Sequence, residues 1–538
     1  MSTVKELIAW QRANVESIDP AKGIINVREY GAKGDGIQDD TAYIQQAVDR
    51  NSDGEGAVIW FPAGGTYKIT GPIHMYDNTV IWGYGATLLA GTGFNAIGNG
   101  MLSNISGNYL SPTFTYTASK NISVYGLTFK SENKLSQAVQ SYPFVIYSAA
   151  PAVFTGVHIQ DVSIIDLYGG GILLFEARNV FVSNYTCTGY RTDGALAWGG
   201  GINFWGVQDA IIDNFIIKDS DTPGWHGVIV SEWDSGPENV IISNGLIQNV
   251  DGDGISCESP HFPGRNVSID NVFIKDIPAH AIHVTGGPFY ISNITMENVD
   301  YAIYADNGFR AEVYIDKLMV TNSNSTTNAV IHHNSGNDTS IWHIRNCRFQ
   351  TISYRALDLF LFKELIIESL QILTVQDRAI SIASNANARI IAMRDIEIVD
   401  PGQKGGVDYT ININDDTAAT HIEGVIIRFT GATKTNFGIG LWLQPKLLLK
   451  QVYMDACGTA RYAVNRASLY SASQIDYQIE SIENNVKIVR GSSAPASGNW
   501  DRGDTYYTTT PSAGGKIGSV CTASGAPGTW KPFGAIDA

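Results

Sequence analysis

Val180-Phe-Val-Ser-Asn184, Ala210-Ile-Ile-Asp-Asn214, Val240-Ile-Ile-Ser-Asn244, Val267-Ser-Ile-Asp-Asn271 and Phe289-Tyr-Ile-Ser-Asn293 repeat one pattern: a short apolar run closed by asparagine, at intervals of 22 to 30 residues. A repeat of this length marks a solenoid, because a unit that cannot bury its own apolar face must stack on its neighbours. Relaxing the asparagine requirement extends the register to Asp161 on one side and to Lys317, Asn346, Ser369, Asp395, Gly424 and Gln451 on the other, twelve equivalent positions in all. Within each repeat, short β-rich runs such as Val240-Ile-Ile alternate with Gly, Asn and Asp turns, and few windows carry a helical period. The expected architecture is a parallel β-helix, all-β, whose twelve rungs at roughly 4.8 Å make a rod about 60 Å long. The recurring asparagine is expected to stack in a ladder at a turn whose backbone geometry it tolerates.

A chain of 538 residues is too long for one ordinary globular core, yet a solenoid grows without that limit. Charged residues are 16%, hydrophobic residues 44%, and 55 glycines supply many turns. The formal charge of −16 at pH 7, from 36 basic and 52 acidic residues, disfavours nucleic acid and anionic lipid, which need a basic footprint. It leaves room for an anionic polymer in a locally neutral groove. Cys187, Cys257, Cys347, Cys457 and Cys521 are scattered singly without metal-ligand spacing and read as small core residues. No run is long and apolar enough for membrane insertion, and Met1-Ser-Thr-Val-Lys-Glu-Leu lacks the apolar core of a signal peptide.

Residues 3–15 carry apolar side chains at helical spacing and predict a short helix within an amino-terminal neck, 1–24. A cap and first coils follow over 25–155, with a second helix behind Asp39 or Asp40 whose apolar face is Ala42, Ile44, Ala47 and Val48. The β-helix proper occupies 156–488 and carries the groove. Beyond Val489 the composition turns to Gly, Ser, Thr and Pro with isolated aromatics, which predicts a small β module over 489–538 in which Trp500 and Trp530 either pack the core, the favoured reading, or bind sugar.

The stretch Val27-Arg-Glu-Tyr-Gly-Ala-Lys-Gly-Asp-Gly-Ile-Gln-Asp-Asp-Thr, followed by Ala57-Val-Ile-Trp-Phe-Pro-Ala-Gly-Gly-Thr-Tyr, resembles the opening motif of the pectate-lyase-like right-handed β-helix superfamily. Bacteriophage tailspike polysaccharide depolymerases and polygalacturonase-like enzymes share it. The resemblance implies a right-handed solenoid, a structural turn and helix cap for Asp35, Asp39 and Asp40, and a protein that acts on a polysaccharide. Likeness to tailspikes further implies a homotrimer on the virion, seated among phage tail or baseplate proteins and acting outside the host cell on a bacterial capsule or other surface polysaccharide. The polygalacturonase run Asn-Thr-Asp-Gly is echoed by Arg191-Thr-Asp-Gly194 and Val250-Asp-Gly-Asp-Gly254, but the remaining motifs of that group do not follow in order. Pectin is therefore not the expected substrate.

Aligning the coils on Gly171-Ile-Leu-Leu-Phe, Gly201-Ile-Asn-Phe-Trp, Gly227-Val-Ile-Val-Ser, Gly254-Ile-Ser-Cys-Glu, Ala281-Ile-His-Val-Thr and Ala302-Ile-Tyr-Ala-Asp places Ile172, Ile202, Val228, Ile255, Ile282 and Ile303 in one inward column. Side chains alternate along a strand, so the neighbours point outward. One outward column reads Leu173, Asn203, Ile229, Ser256, His283, Tyr304, and the next Phe175, Trp205, Ser231, Glu258, Thr285, Asp306. Just before the strand, His226, Asp253 and His280 form a third. Titratable groups one rung apart shift one another's pKa strongly. Carboxylates beside Trp205, Trp225 and Trp233 are what glycan binding and cleavage require.

Glycoside hydrolysis needs a protonated carboxylic acid and an ionised carboxylate. The expected acid and base come from Glu232, Asp234, Asp253 and Glu258, with His226 or His280 tuning or positioning, and a pair on adjacent rungs would lie roughly 8 Å apart, in the inverting range. Trp205, Trp225, Trp233, Asp251, His280, His283 and Tyr304 are the expected sugar contacts. A polysaccharide lyase using His226, His283 or Tyr304 as base is the alternative, and a non-catalytic receptor-binding fibre the third. No cofactor or dedicated metal site is expected, since no loop has the ligand spacing of a calcium site.

Overall fold

The structure, a computed structural model, describes residues 23–537 apart from 95–98, 108–113, 133–141, 149–152, 168, 191–198, 221–225, 259–264, 306–311, 326, 328, 335–339, 361, 384–389, 406, 408, 415–418, 432, 436, 443–445, 455–459, 466–472, 476–477, 484–485 and 499. The helix expected over residues 3–15, Trp225, Asp306 and Cys457 lie outside the described residues. The chain divides into two compact units, residues 1–295 and 296–538.

The first unit is a parallel β-solenoid. Its opening is capped by the helix Thr41–Val48, which buries Ile44, Ala47 and Val48 and leaves Ala42 exposed, contrary to expectation. Asp40 occupies the N-cap position, but its carboxylate turns back to accept from the backbone N–H groups of Lys33 and Gly34 at 2.9 Å each. The capping oxygen comes from Asp39, 3.0 Å from the Thr41 N–H, while Asp35 accepts from Ile37 and Gln38 at 2.8 Å each. All three acids are occupied in turns.

Each later coil of this unit contributes a strand to two faces. On one face Ile172–Phe175, Gly200–Trp205, His226–Ser231 and Ile255–Glu258 stack in parallel, and the end of Arg265–Thr285 completes the series. The partners Ile172↔Ile202, Ile202↔Val228, Val228↔Ile255 and Ile255↔Ile282 reproduce the expected inward column, every member fully buried. Each such side chain contributes roughly 1.5–3 kcal/mol on leaving water. The residue before each of the first four, Gly171, Gly201, Gly227 or Gly254, lies where backbones approach closely. A Cβ on Gly227 would sit 2.4 Å from the Gly254 carbonyl oxygen.

On the neighbouring face Ala177–Thr188, Gln208–Lys218, Glu238–Gln248 and Arg265–Thr285 stack in register. All twelve positions of the repeat have positive φ, between 49° and 66°. That left-handed conformation is one asparagine tolerates. Asn214 donates to Asn184 Oδ1 at 2.6 Å and Asn271 to Asn244 Oδ1 at 2.7 Å, so the expected ladder is present. Aspartates enter it as well: Asn244 and Asn293 donate to Asp213 and Asp270 at 2.6 and 2.7 Å.

The second unit repeats the scheme, with Ile303↔Ile331, Ile331↔Leu357, Leu357↔Ile380, Ile380↔Ile411 and Ile411↔Ile439 in parallel register. Toward the carboxy terminus, Val486–Gly491 pairs in parallel with Thr505–Thr508, which continues into the antiparallel strands Lys516–Ala523 and Thr529–Ala535. Trp500 is fully buried there, its ring 5.1 Å from Trp530. Cys187, Cys257, Cys347 and Cys521 are buried free thiols, and burial pushes Cys187 and Cys347 up to about 12. Among the described residues, no helix is long and apolar enough to cross a membrane.

Candidate active site

The outward columns keep their register on the first face: Leu173↔Asn203, Asn203↔Ile229, Ile229↔Ser256 and Ser256↔His283, beside Phe175↔Trp205, Trp205↔Ser231, Ser231↔Glu258 and Glu258↔Thr285. They are not an open wall, however. Leu173 and Phe175 are buried with Tyr147, Ile105, Tyr142 and Val145, and Phe114 and Trp205 pack on the same cluster. Asn203, Ile229, Ser256 and His283 are buried too. Pointing away from the solenoid interior is thus not the same as facing water.

At the far end of these columns the side chains converge on Asp253. Its carboxylate accepts from the His280 backbone N–H at 3.2 Å, lies 2.8 Å from His280 Nδ1 and 3.2 Å from His283 Nδ1, and has His226 Nδ1 at 3.5 Å. His283 Nδ1 also lies 3.3 Å from Glu258 Oε1, which takes a 2.6 Å hydrogen bond from Ser256. One imidazole nitrogen therefore bridges two carboxylates of the preceding coil, Asp253 just before its strand and Glu258 at the strand's end. Because both touch the same atom, their contacting oxygens lie no more than about twice a hydrogen-bond length apart. The pair lies on one coil, whereas the expectation placed the two carboxylates on adjacent rungs.

The hydrogen bonds fix tautomers. The Asp253 backbone N–H donates to His226 Nδ1 at 3.0 Å, so that nitrogen is an acceptor and the ring proton sits on Nε2. At His280 the order reverses: Nδ1 faces a carboxylate, must be the donor, and leaves Nε2 with a lone pair when the ring is neutral.

The charges follow. Burial depresses His283, but the hydrogen bonds and charges of Asp253 and Glu258 outweigh it and carry the group up to about 9, so it is an imidazolium at neutral pH. Burial likewise raises Asp253, and the hydrogen bonds from His280 and His283 more than reverse this, leaving it well below the usual carboxylate range. Glu258 is lowered chiefly by its bond to His283, against burial. His226 is lowered by burial, with the nearby carboxylates only partly compensating. Asp253 is 7% exposed and Glu258 36%, so Glu258 is the ionised oxygen a solute can reach.

Of the residues singled out in the sequence, His226, Asp253, Glu258, His280 and His283 come together. Glu232 lies beside them, its backbone N–H 3.2 Å from the Glu258 carbonyl. Trp205 and Trp233 join a separate aromatic shelf with Phe175: Trp233 lies 4.8 Å from Phe175 and 6.1 Å from Trp205, and Trp233 is 42% exposed. Asp234 is exposed beside that shelf. Asp251 is an exposed turn residue whose backbone N–H is held by Ser220 at 2.9 Å. Tyr304 belongs to the second unit.

Three residues not singled out also matter. Ser256 orients Glu258. Glu176, 3% exposed, accepts from the Asp234 and Ser235 N–H groups at 3.0 and 2.9 Å and from the Ser235 hydroxyl at 2.7 Å, pinning the loop that presents Trp233 and Asp234. Tyr147 completes the shelf against Phe175 at 5.1 Å. Glu176 carried a signal, as a carboxylate closing the apolar run Ile172–Phe175, but its partner 58 residues on is visible only in three dimensions.

This architecture defines the class: the chain is a parallel β-solenoid protein whose amino-terminal part is similar to the pectate-lyase-like family. Residues 24–145 match the family model for rhamnogalacturonase A/epimerase, pectate lyase-like. A non-secreted LysM effector of Penicillium expansum is 41% identical over 85 residues, 14% of this chain and 7% of that protein. The chain thus spans less than a tenth of the length of the curated relatives it matches. Among solved structures, a tailspike protein of E. coli bacteriophage HK620 in complex with a pentasaccharide gives a TM-score of 0.50 at 11% identity, over 82% of this chain and 78% of the other. Gene product 12 of bacteriophage phi29, in its pre-mature form, gives 0.49 at 13% identity, over 82% and 66%. At 11% identity the likeness to the tailspike is one of fold.

Proposed function

We propose that this protein is a tailspike-type depolymerase that hydrolyses glycosidic bonds within a bacterial capsular or surface polysaccharide. The observation carrying this reading is the Glu258 carboxylate: ionised, partly exposed, oriented by Ser256 and the His283 imidazolium, on a face that also presents Trp205 and Trp233. Glu258 acts as the base that activates water or as the nucleophile at the anomeric carbon. The proton for the leaving oxygen comes from the loop after Ser231, where Glu232 and Asp234 sit. Asp253 is a positioning residue, because its oxygens are committed to His280 and His283. His226, protonated on Nε2, supplies a hydrogen bond to the sugar. The aromatic shelf stacks on pyranose faces.

Likeness in fold to the bacteriophage HK620 tailspike, whose structure holds a pentasaccharide, supports the tailspike reading; a homotrimer attached to phage tail proteins and acting on the host surface is part of that same proposal. Incubation with purified capsular polysaccharides tests the reading, with products sized by mass. Oligosaccharides that have gained one water per cleavage support it, and Glu258→Gln should lower the rate about 10²–10⁴-fold while leaving polymer binding in place.

A second reading has its own observation. The Asp253–His280 contact orients His280 Nε2 as a base, and the His283 imidazolium offers positive charge to a uronate carboxylate, which is the equipment for β-elimination. Ultraviolet absorbance from an unsaturated product, lost in His280→Ala, would select it over hydrolysis.

A further inference from the structure

The carboxylate and imidazoles around Asp253 are also a set of metal donors. One donor atom from each of Asp253, His280 and His283 lies within 4.8 Å of the other two. The contacts that close the set, Asp253 Oδ1 to His280 Nδ1 at 2.8 Å and Asp253 Oδ2 to His283 Nδ1 at 3.2 Å, have hydrogen-bond lengths. They also approach the edge of a coordination polyhedron, since donors about 2.0–2.2 Å from a zinc-class ion stand about 3.3 Å apart at a tetrahedral edge. A proton and a metal ion therefore compete for one place.

Register builds that place before any ion arrives. Ile255 pairs with Ile282 and Ser256 with His283, so Asp253 and His280 stand at equivalent positions on consecutive coils. The Gly254 N–H bonds to the His280 carbonyl at 2.8 Å and the His280 N–H to the Asp253 carboxylate at 3.2 Å, which locks the two backbones together. His226 Nδ1 comes within 3.5 Å of the same carboxylate, yet its lone pair is taken by the Asp253 N–H and does not ligate. Side-chain exposure is 23% at His280 against 7% at Asp253 and 11% at His283, so the set is reached from the His280 side. Charge favours the ion: the His283 imidazolium offsets one of the two carboxylates it touches, Asp253 and Glu258, whereas a divalent ion between neutral imidazoles offsets both.

We infer that Asp253, His280 and His283 form a binding site for a divalent transition-metal ion of the zinc class, held by two imidazole Nδ1 atoms and one carboxylate. Imidazole donors select such an ion over calcium or magnesium, which take oxygen. Three protein donors leave a coordination position for water. On loading, the Nδ1 proton of His283 passes to the buffer and the His280 ring proton moves from Nδ1 to Nε2, so each ion releases one proton. Spacing along the chain hides the set, because Asp253 joins the two histidines only through the stack of coils. The inference goes beyond the polysaccharide reading and does not depend on it, since that reading has the His283 proton in place.

Isothermal titration calorimetry of the full chain, stripped with a chelator and titrated with Zn²⁺, tests it. One ion per chain should bind and raise the melting temperature, Co²⁺ in its place should show the visible absorption of a nitrogen-ligated ion, and Ca²⁺ and Mg²⁺ should give neither effect. His280→Ala and His283→Gln should each raise the dissociation constant at least about a hundredfold, more than the loss of an outer partner costs. His343→Ala, which removes the 2.8 Å contact of His343 with Glu364 in the second unit, should leave it unchanged. Circular dichroism of the metal-free variants separates lost ligation from lost folding, and the Co²⁺ spectrum of the wild type needs no variant at all. Failure to bind Zn²⁺, equal binding of Ca²⁺, or wild-type affinity in folded His280→Ala would each overturn the inference. Polysaccharide cleavage is scored separately: Zn²⁺ binding that depends on His280 in a chain that cleaves nothing keeps this site and rejects the depolymerase reading, and cleavage by a chain that binds no Zn²⁺ does the reverse.

Discussion

At the scale of single residues, the site rests on His283 Nδ1, which holds Asp253 and Glu258 at once. Buried ions are costly to isolate, and removing one partner of such a set leaves the other uncompensated. Asp253→Ala should therefore destabilise the fold by about 3–5 kcal/mol, read as a lowered urea midpoint. The pH dependence follows from the signs. His283 is raised to about 9 in the fold, so its contribution is fully present below its unfolded value of about 6.5 and is lost as pH rises through about 9. Asp253 and Glu258 are lowered, so their contribution is present above about 4 and is lost as pH falls below it. Urea midpoints should thus fall between pH 7 and pH 10, and His283→Gln should remove that alkaline fall. A midpoint that does not change across the range would show that the imidazolium bridge does not form.

At the scale of elements, the left-handed corner and the glycine that opens each strand of the site face set the register. Asn214→Val should cost about 1–2 kcal/mol from the left-handed backbone, on top of its bond to Asn184. Asn214→Gly gives up only the bond, about 1 kcal/mol. Denaturant titration should rank the valine variant below the glycine variant. Gly227→Ala would press a methyl group against the Gly254 carbonyl oxygen and should cost about 1–3 kcal/mol.

These elements were also what the sequence made legible. The asparagine spacing revealed the coils, and alternation from Ile172 to Ile282 revealed which neighbours point outward, because period and register are local properties of the chain. Burial of the outward positions was not legible: Leu173 and Phe175 are covered by Tyr147 and Ile105, which come from earlier coils and follow no repeat. Nor could alternation show that Asp253 and Glu258 meet at one nitrogen. Rung geometry spaces backbones, whereas side-chain reach and rotamer decide whether charges touch.

At the scale of the molecule, a surface of net charge −16 argues for a confined neutral or locally basic groove wherever an acidic polymer binds. If the tailspike reading holds, light scattering should find three chains per particle, and a monomer at micromolar concentration would count against the trimer. In the proposed reaction Glu258, held by Ser256 and the His283 imidazolium, cuts a polysaccharide with water. The most direct measurement is mass spectrometry of products after wild type and Glu258→Gln are incubated with a panel of purified bacterial capsules. The account predicts oligosaccharides one water heavier per cut from the wild type and intact, still-bound polymer from the variant. Polymer left whole by both, or products short of that water, would contradict it.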